Sequence, residues 1–352
     1  MSRYLTYTPW PADFNNTRMC FETALVLAYI TRRKLVLPAY RREHEPMVEN
    51  GQFRPLHPGE CFELERLDDL IHHGPVTAGG LELHVGPPGT SVFCYPRISS
   101  GDRRREFAAG RQHFVELTPE MEDCPVLHLV ASLEHFYAFL FLEDDSLSYA
   151  SKRLVRDQLS LKGSIVAAAA QASAFLGDYC ALHVRRNDFL ELYPQQIIPA
   201  SRILGNLLQR VPAGCCLYIA SDEKDRRFFD DLRPHYDIRF VEELDVPPMP
   251  PASLASVEQL ICAQAKLFVG TRLSSFSGYV TRLRGYRNAA DQGSYFTDGL
   301  PGSEMDTAGA PMYSWTNWLR ARHPIWGREF KEAWTVTAPV GNSAGSTATT
   351  SS

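Results

Sequence analysis

The sequence predicts an α/β protein in which strands alternate with helices, arranged as two Rossmann-like halves. Three observations carry this. The chain opens with a strand, loop, helix and strand over residues 3–38; its second half repeats strand and helix at the spacing of a parallel sheet; and 352 residues exceed what one core comfortably holds.

Residues 3–8 form the first strand, 9–16 a loop, and 17–31 a helix with Asn16 as its N-cap. Met19, Leu25, Val26, Tyr29 and Ile30 would turn one apolar face of that helix toward a sheet. Residues 34–38 supply the second strand. From Tyr40 to Pro119 the chain is loop-rich and reads as a peripheral elaboration. This stretch holds His72-His73, which lack a second pair at metal-ligand spacing, and Arg103-Arg104-Arg105, which suit a solvated face or an acceptor contact. Val126 to Ala131 reads as a buried strand, followed by a short aromatic helix through Phe141 and a long Ala-rich helix over 152–175. The boundary between the halves falls near Leu161, giving domains of 1–160 and 161–336. Beyond it the elements alternate: a strand that carries His183 and Arg185, helix 201–210, strand 215–220, helix 225–232, strand 238–240, helix 253–263, strand 266–270, loop 271–276, and a helix from near Ser277. The tail over 337–352, rich in Ala, Ser, Thr and Gly, is expected to be disordered.

Composition narrows the function. At 44% hydrophobic and 22% charged residues the chain is ordinary for a soluble protein, and its net charge of -5 argues against a dedicated nucleic-acid binder. No apolar run is long enough to span a bilayer, and residues 1–10 lack a secretory pattern, so a cytoplasmic location with no membrane partner is expected. The eight cysteines are scattered without a C-x-x-C pair, as suits buried thiols rather than disulfides or zinc.

The chemistry concentrates at strand ends. An apolar run from Cys180 to Val184 stops abruptly in His183-x-Arg185-Arg186-x-Asp188-Phe189. A fixed guanidinium beyond the carboxyl end of a parallel strand can grip phosphate oxygens, although the same residues also suit a surface salt-bridge cluster. Two more clusters follow, Ser221-Asp222 and Gly270-Thr271-Arg272-Leu273-Ser274-Ser275-Phe276-Ser277. In one parallel sheet all three would open on a single crevice, where Ser274, Ser275 and helix-start N–H groups either cradle a diphosphate or act as an ordinary serine cap. Neither a P-loop nor a G-x-G-x-x-G is present, which excludes P-loop chemistry and an ordinary dinucleotide dehydrogenase; no Asp-x-Asp metal motif and no G-x-S-x-G elbow occurs.

Taken in order, Phe14-Asn15-Asn16-x-Arg18-x-x-x-Glu22, Leu35-Val36-Leu37-Pro38, the His183 to Phe189 cluster, Ile219-Ala220-Ser221-Asp222, and Phe268-Val269-Gly270-Thr271 with Ser274 to Ser277 resemble the GDP-fucose protein O-fucosyltransferase family over roughly residues 3–286. The resemblance implies a GT-B fold, two Rossmann-like domains facing a central cleft, with the acceptor on the side of 1–160 and the nucleotide sugar on 161–336. It implies an inverting, metal-independent transfer of fucose from GDP-fucose, as donor substrate and without a cofactor, to a hydroxyl of a protein or glycan. The arginine matching Arg185 is the catalytic group on the diphosphate. The donor-binding set implied is Phe14, Asn15, Asn16, His183, Arg186, Asp188, Asp222, Thr271, Arg272, Ser274, Ser275 and Phe276.

One departure concerns the base. Some members carry a glutamate two residues before the phenylalanine; here Ala12 stands in that position and Asp13 beside it. Asp13 could serve as general base, form a turn, or be dispensable if the acceptor proton leaves late. Related families with similar segments use UDP-rhamnose or GDP-mannose, and a non-catalytic nucleotide-sugar binder is a further alternative.

Overall fold

In a computed structural model the described residues are 2–9, 14–42, 45–46, 48–49, 52–74, 76, 80–84, 91–94, 113–115, 117–130, 140–141, 145–192, 197–272, 274–287, 289–291, 293–296 and 306–307. Asp13, Arg103 to Arg105 and the tail over 337–352 lie outside them.

The first half contains strands β1 (Tyr4–Tyr7), β2 (Lys34–Val36), β3 (Val48–Glu49), β4 (Gln52–Phe53), β5 (Ile71–His72), β6 (Leu81–His84), β7 (Ser91–Cys94), β8 (His113–Val115), β9 (Val126–Val130) and β10 (Leu140–Phe141). Its helices are α1 (Phe14–Ile30), α2 (Pro119–Asp123) and α3 (Asp145–Arg153). A five-stranded parallel sheet runs β5-β2-β1-β9-β6, beside a small sheet β10-β7-β8 and the hairpin β3-β4. The stretch expected to be peripheral thus supplies β5 and β6 to the main sheet. His72 is a strand residue whose ring packs 4.8 Å from that of Tyr4. Phe141, expected in a helix, is a strand residue because its backbone pairs with Cys94.

The second half contains helices α4 (Gly163–Leu176), α5 (Phe189–Leu192), α6 (Ala200–Leu207), α7 (Pro251–Gln264) and α8 (Ser275–Tyr286). Its strands are β11 (Tyr179–Val184), β12 (Cys216–Ser221), β13 (Asp237–Arg239), β14 (Phe268–Gly270), β15 (Ser294–Tyr295) and β16 (Asp306–Thr307), in the order β13-β12-β11-β14-β15-β16, all parallel except the last pair. The α/β class with two parallel sheets is therefore as expected. Every residue of β11 is buried, as a central parallel strand covered on both faces requires. Tyr179 and Ala181 join the core beneath α4, α7 and α8, while Cys180, Leu182 and Val184 meet α6 and the 3₁₀ helix of 226–232 on the other face. This alternation puts His183 on the α8 side.

Further helix expectations change, and the helix expected over 225–232 is a 3₁₀ helix over Arg226–Leu232. The single helix over 152–175 is interrupted: α3 runs into a π-helical turn at 154–158, Leu161 pairs across to Phe62, and the amide of Lys162 donates to Cys61 O at 2.8 Å before α4 begins. Helix α1 begins at Phe14, so Asn16 lies in its first turn rather than capping it. One tertiary and one local contact draw in the extra residues: Phe14 stacks on Phe62 at 6.3 Å, and Thr17 Oγ1 donates back to Phe14 O at 2.9 Å within the first turn. Nor does α1 show one apolar face to a sheet; all of residues 17–28 are buried, with the sheet on one side and α8 on another.

Candidate active site

The three strand-end clusters lie side by side. Val184 is paired with Ser221, and Leu182 with Val269, so the carboxyl ends of β12, β11 and β14 open at one edge of the sheet. Hydroxyls extend the ladder past the strands and fix where Arg185 leaves it. Thr271 Oγ1 donates to His183 O at 2.9 Å and accepts from the Arg185 amide at 2.9 Å. On the other side Ser221 Oγ donates to Val184 O at 2.7 Å.

His183 is buried at 4% exposure, with its ring stacked 4.2 Å from that of Phe276 and Nδ1 2.7 Å from Ser277 Oγ. Burial, aided by the Arg185 charge, pulls its pKa down to about 3, so the imidazole is neutral at physiological pH. Ser277 Oγ also accepts from the Thr271 amide at 3.0 Å. Gly270 makes this closeness available, since a Cβ there would lie 2.6 Å from Ser277 Oγ.

Arg185 and Arg186 diverge. Arg185 Nε donates to Asp188 Oδ1 at 2.8 Å and lies 3.3 Å from Asp222 Oδ2, and its side chain keeps 28% exposure. Two carboxylates thus orient a guanidinium that still faces solvent. Asp222 also organises the backbone, its oxygens accepting from the Arg186 amide at 2.8 Å and the Asn187 amide at 3.2 Å. Arg186 instead points away, donating from Nε to Glu223 at 2.7 Å and stacking 4.0 Å over Phe228. Glu223, which no motif singled out, is held below the usual carboxylate range first by the Asp225 amide and then by Arg186. Its only sequence signal is its place directly after Asp222.

Ser274 occupies the N-cap position of α8, buried at 4% exposure, yet its side chain makes no capping bond. The serine-cap alternative therefore does not describe it. Ser275 and Phe276 follow in the first turn, where unpaired N–H groups and the positive end of the helix dipole favour an anion. Arg272 is half-buried beside them.

From the first half the structure brings Asn15 to this place. Its Oδ1 accepts from Gln259 Nε2 at 3.0 Å, and the same nitrogen lies 3.5 Å from Phe276 O. Phe14 packs away on Phe62, and Asn16 is half-buried. Behind Asn15 a polar stripe continues along α1 at helical spacing. Glu22 Oε1 accepts from Arg18 Nε at 2.8 Å, while Glu22 Oε2 accepts from Tyr279 Oη at 2.9 Å and Arg282 Nη1 at 2.7 Å. Among the described residues no group of three or more His, Cys, Asp or Glu side chains could hold a metal ion, and no helix is long and apolar enough to cross a membrane.

The model of the GDP-fucose protein O-fucosyltransferase family matches residues 111–287. Among solved structures, the chain is similar to POFUT1 in complex with GDP-fucose at 16% identity and a TM-score of 0.44, covering 84% of this chain and 98% of that one. POFUT1 in complex with GDP gives 16% identity and a TM-score of 0.48, with 85% and 99% covered. The fucosyltransferase NodZ from Bradyrhizobium gives 14% identity and a TM-score of 0.42, with 80% and 93% covered. No curated protein matches the sequence.

Proposed function

The chain belongs to the GDP-fucose protein O-fucosyltransferase family and is a glycosyltransferase, and we propose that it moves fucose from GDP-fucose to a hydroxyl acceptor, with inversion and without a metal ion. The observation that carries this reading is Arg185, oriented by Asp188 and Asp222 at the sheet edge where α8 also begins. In this reading the chain divides near residue 161 as a GT-B enzyme, with the donor on the later half.

As the bond from sugar to diphosphate breaks, negative charge grows on the departing GDP. Arg185 and the first-turn N–H groups of α8 are in place before that charge develops and stabilise it with little reorganisation. His183, neutral and stacked on Phe276, cannot add charge and serves to position the nucleotide. Thr271 and Ser277 act through the backbone they hold. The acceptor hydroxyl attacks the anomeric carbon from the face opposite the diphosphate, which inverts it, and gives up its proton to Asp13 or, late in the step, to water. Arg186 and Asp188 are assigned supporting positions, one under the turn after β12 and the other on Arg185.

The test pairs calorimetric titration with turnover, without added metal, using GDP-fucose, GDP-mannose and UDP-rhamnose. GDP-fucose is expected to bind in preference to the other two. Arg185→Ala should fold normally and lose about a hundredfold in turnover, the order associated with removing one oxyanion donor. Turnover unchanged in that variant removes Arg185 from the mechanism. Preference for UDP-rhamnose or GDP-mannose would reassign the donor.

A further inference from the structure

Gln259 lies on α7 at 1% exposure and plays no part in the mechanism above. A buried amide is costly unless its hydrogens find acceptors, and a leucine or methionine would fill the same space without that cost. Here the nitrogen has both acceptors, Asn15 Oδ1 at 3.0 Å and, at the longer distance of 3.5 Å, Phe276 O. Rotating this amide together with that of Asn15 would keep their mutual contact but set the Gln259 oxygen against the Phe276 carbonyl, which can only accept, so that carbonyl decides the orientation. The orientation of Asn15 follows from it. With Oδ1 committed to Gln259, Asn15 must turn its Nδ2 the other way.

Asn15 belongs to the first turn of α1, and Phe276 to the first turn of α8, where its ring covers His183. One buried amide therefore joins the starts of two helices, one from each half of the chain. Resting on the donor site proposed above, we propose that Gln259 is a positioning residue for donor binding, holding Asn15 so that its Nδ2 donates to the diphosphate of the nucleotide sugar. The Phe276 carbonyl is the anchor that keeps Gln259 itself from turning.

The experiment is a double-mutant cycle on GDP affinity, read by calorimetric titration of the full chain as wild type, Asn15→Ala, Gln259→Met and the double variant. Methionine matches glutamine in length and lacks its donors. Each single variant should weaken GDP about tenfold, the effect of one lost hydrogen bond. The double variant should be no weaker than either single one, because Gln259 acts through Asn15. The inference is overturned if either single variant binds GDP within about twofold of wild type, or if the losses multiply to about a hundredfold. Thermal melts of the four proteins separate folding from binding. Arg185→Ala separates this inference from the reading beneath it: GDP lost there but kept in the Asn15 and Gln259 variants overturns the positioning role alone, whereas GDP kept in all three overturns the donor site.

Should Gln259→Met fail to fold, Gln259→Glu gives a second reading. Protonated, its carboxyl still donates to Asn15; ionised, it forces Asn15 to turn its nitrogen inward. Its GDP affinity relative to wild type is expected to fall as pH rises through that ionisation. A flat ratio overturns the inference.

Discussion

Glu258 shows how one side chain makes stability depend on pH. It accepts from Tyr218 Oη at 3.0 Å, and burial raises its pKa from the usual 4.5 to about 7, with Glu242 adding to the rise while Tyr218 and Arg226 oppose it. The folded state therefore keeps a proton that the unfolded chain releases above 4.5, and stability falls as pH climbs from there through about 7. His183 runs the other way. Its folded pKa near 3 lies below the usual 6.5, so stability falls as pH drops from 6.5. Glu258→Gln removes the first effect, and urea denaturation across about pH 5 to 8 should show a flatter slope and higher stability at the alkaline end. An identical slope in wild type and variant would mean that Glu258 ionises normally. Such residues also mark what could be read from sequence. His183 and Arg185 were legible because an apolar run ended abruptly in charge. Glu223, Glu258 and Gln259 gave no such signal, since each is defined by a partner distant in sequence or by burial.

At the scale of the element, α1 explains most of what the sequence concealed. In the sequence its apolar residues make a single face, and its polar residues Asn15, Arg18 and Glu22 stand out as members of a motif rather than as a second, docking face. The structure buries that stripe against α7 and α8, where Glu22 is fully buried and meets Arg18, Tyr279 and Arg282. Propensity alone could not place the start of α1, because Phe62 and Gln259 bind its first turn from elsewhere in the chain. Likewise, the interruption before α4 is set by pairing with Cys61 and Phe62, which local alanine content does not register. Removing Glu22 would leave the buried guanidinium groups of Arg18 and Arg282 without this carboxylate. Glu22→Ala is expected to lower the unfolding free energy by about 3–5 kcal/mol, with a smaller loss for Glu22→Gln, which keeps an acceptor. Denaturant titration measures both. Losses below about 1 kcal/mol would show that water or a shifted side chain replaces the carboxylate.

For the whole molecule, the polar stripe lies within a larger contact. The sequence suggested two halves, each with its own core. Among the described residues, one hydrophobic cluster instead runs from Leu5, Phe21 and Leu25 of the first half to Tyr179, Val257, Phe268 and Val280 of the second. A smaller cluster fills the far face of the second sheet. Because α1 contributes to the shared cluster and to the ion network at once, neither half can unfold without exposing apolar surface and buried charge on the other. Unfolding should accordingly appear in calorimetry as one transition, its van't Hoff and calorimetric enthalpies in agreement. GDP at a hundredfold excess over its dissociation constant should stabilise that whole transition by about 2.7 kcal/mol, although its proposed contacts lie largely on the second half. Glu22→Ala should move the same single peak downward. Two peaks, only one of them raised by GDP, would show instead that the halves unfold separately and that the shared cluster contributes little to coupling them.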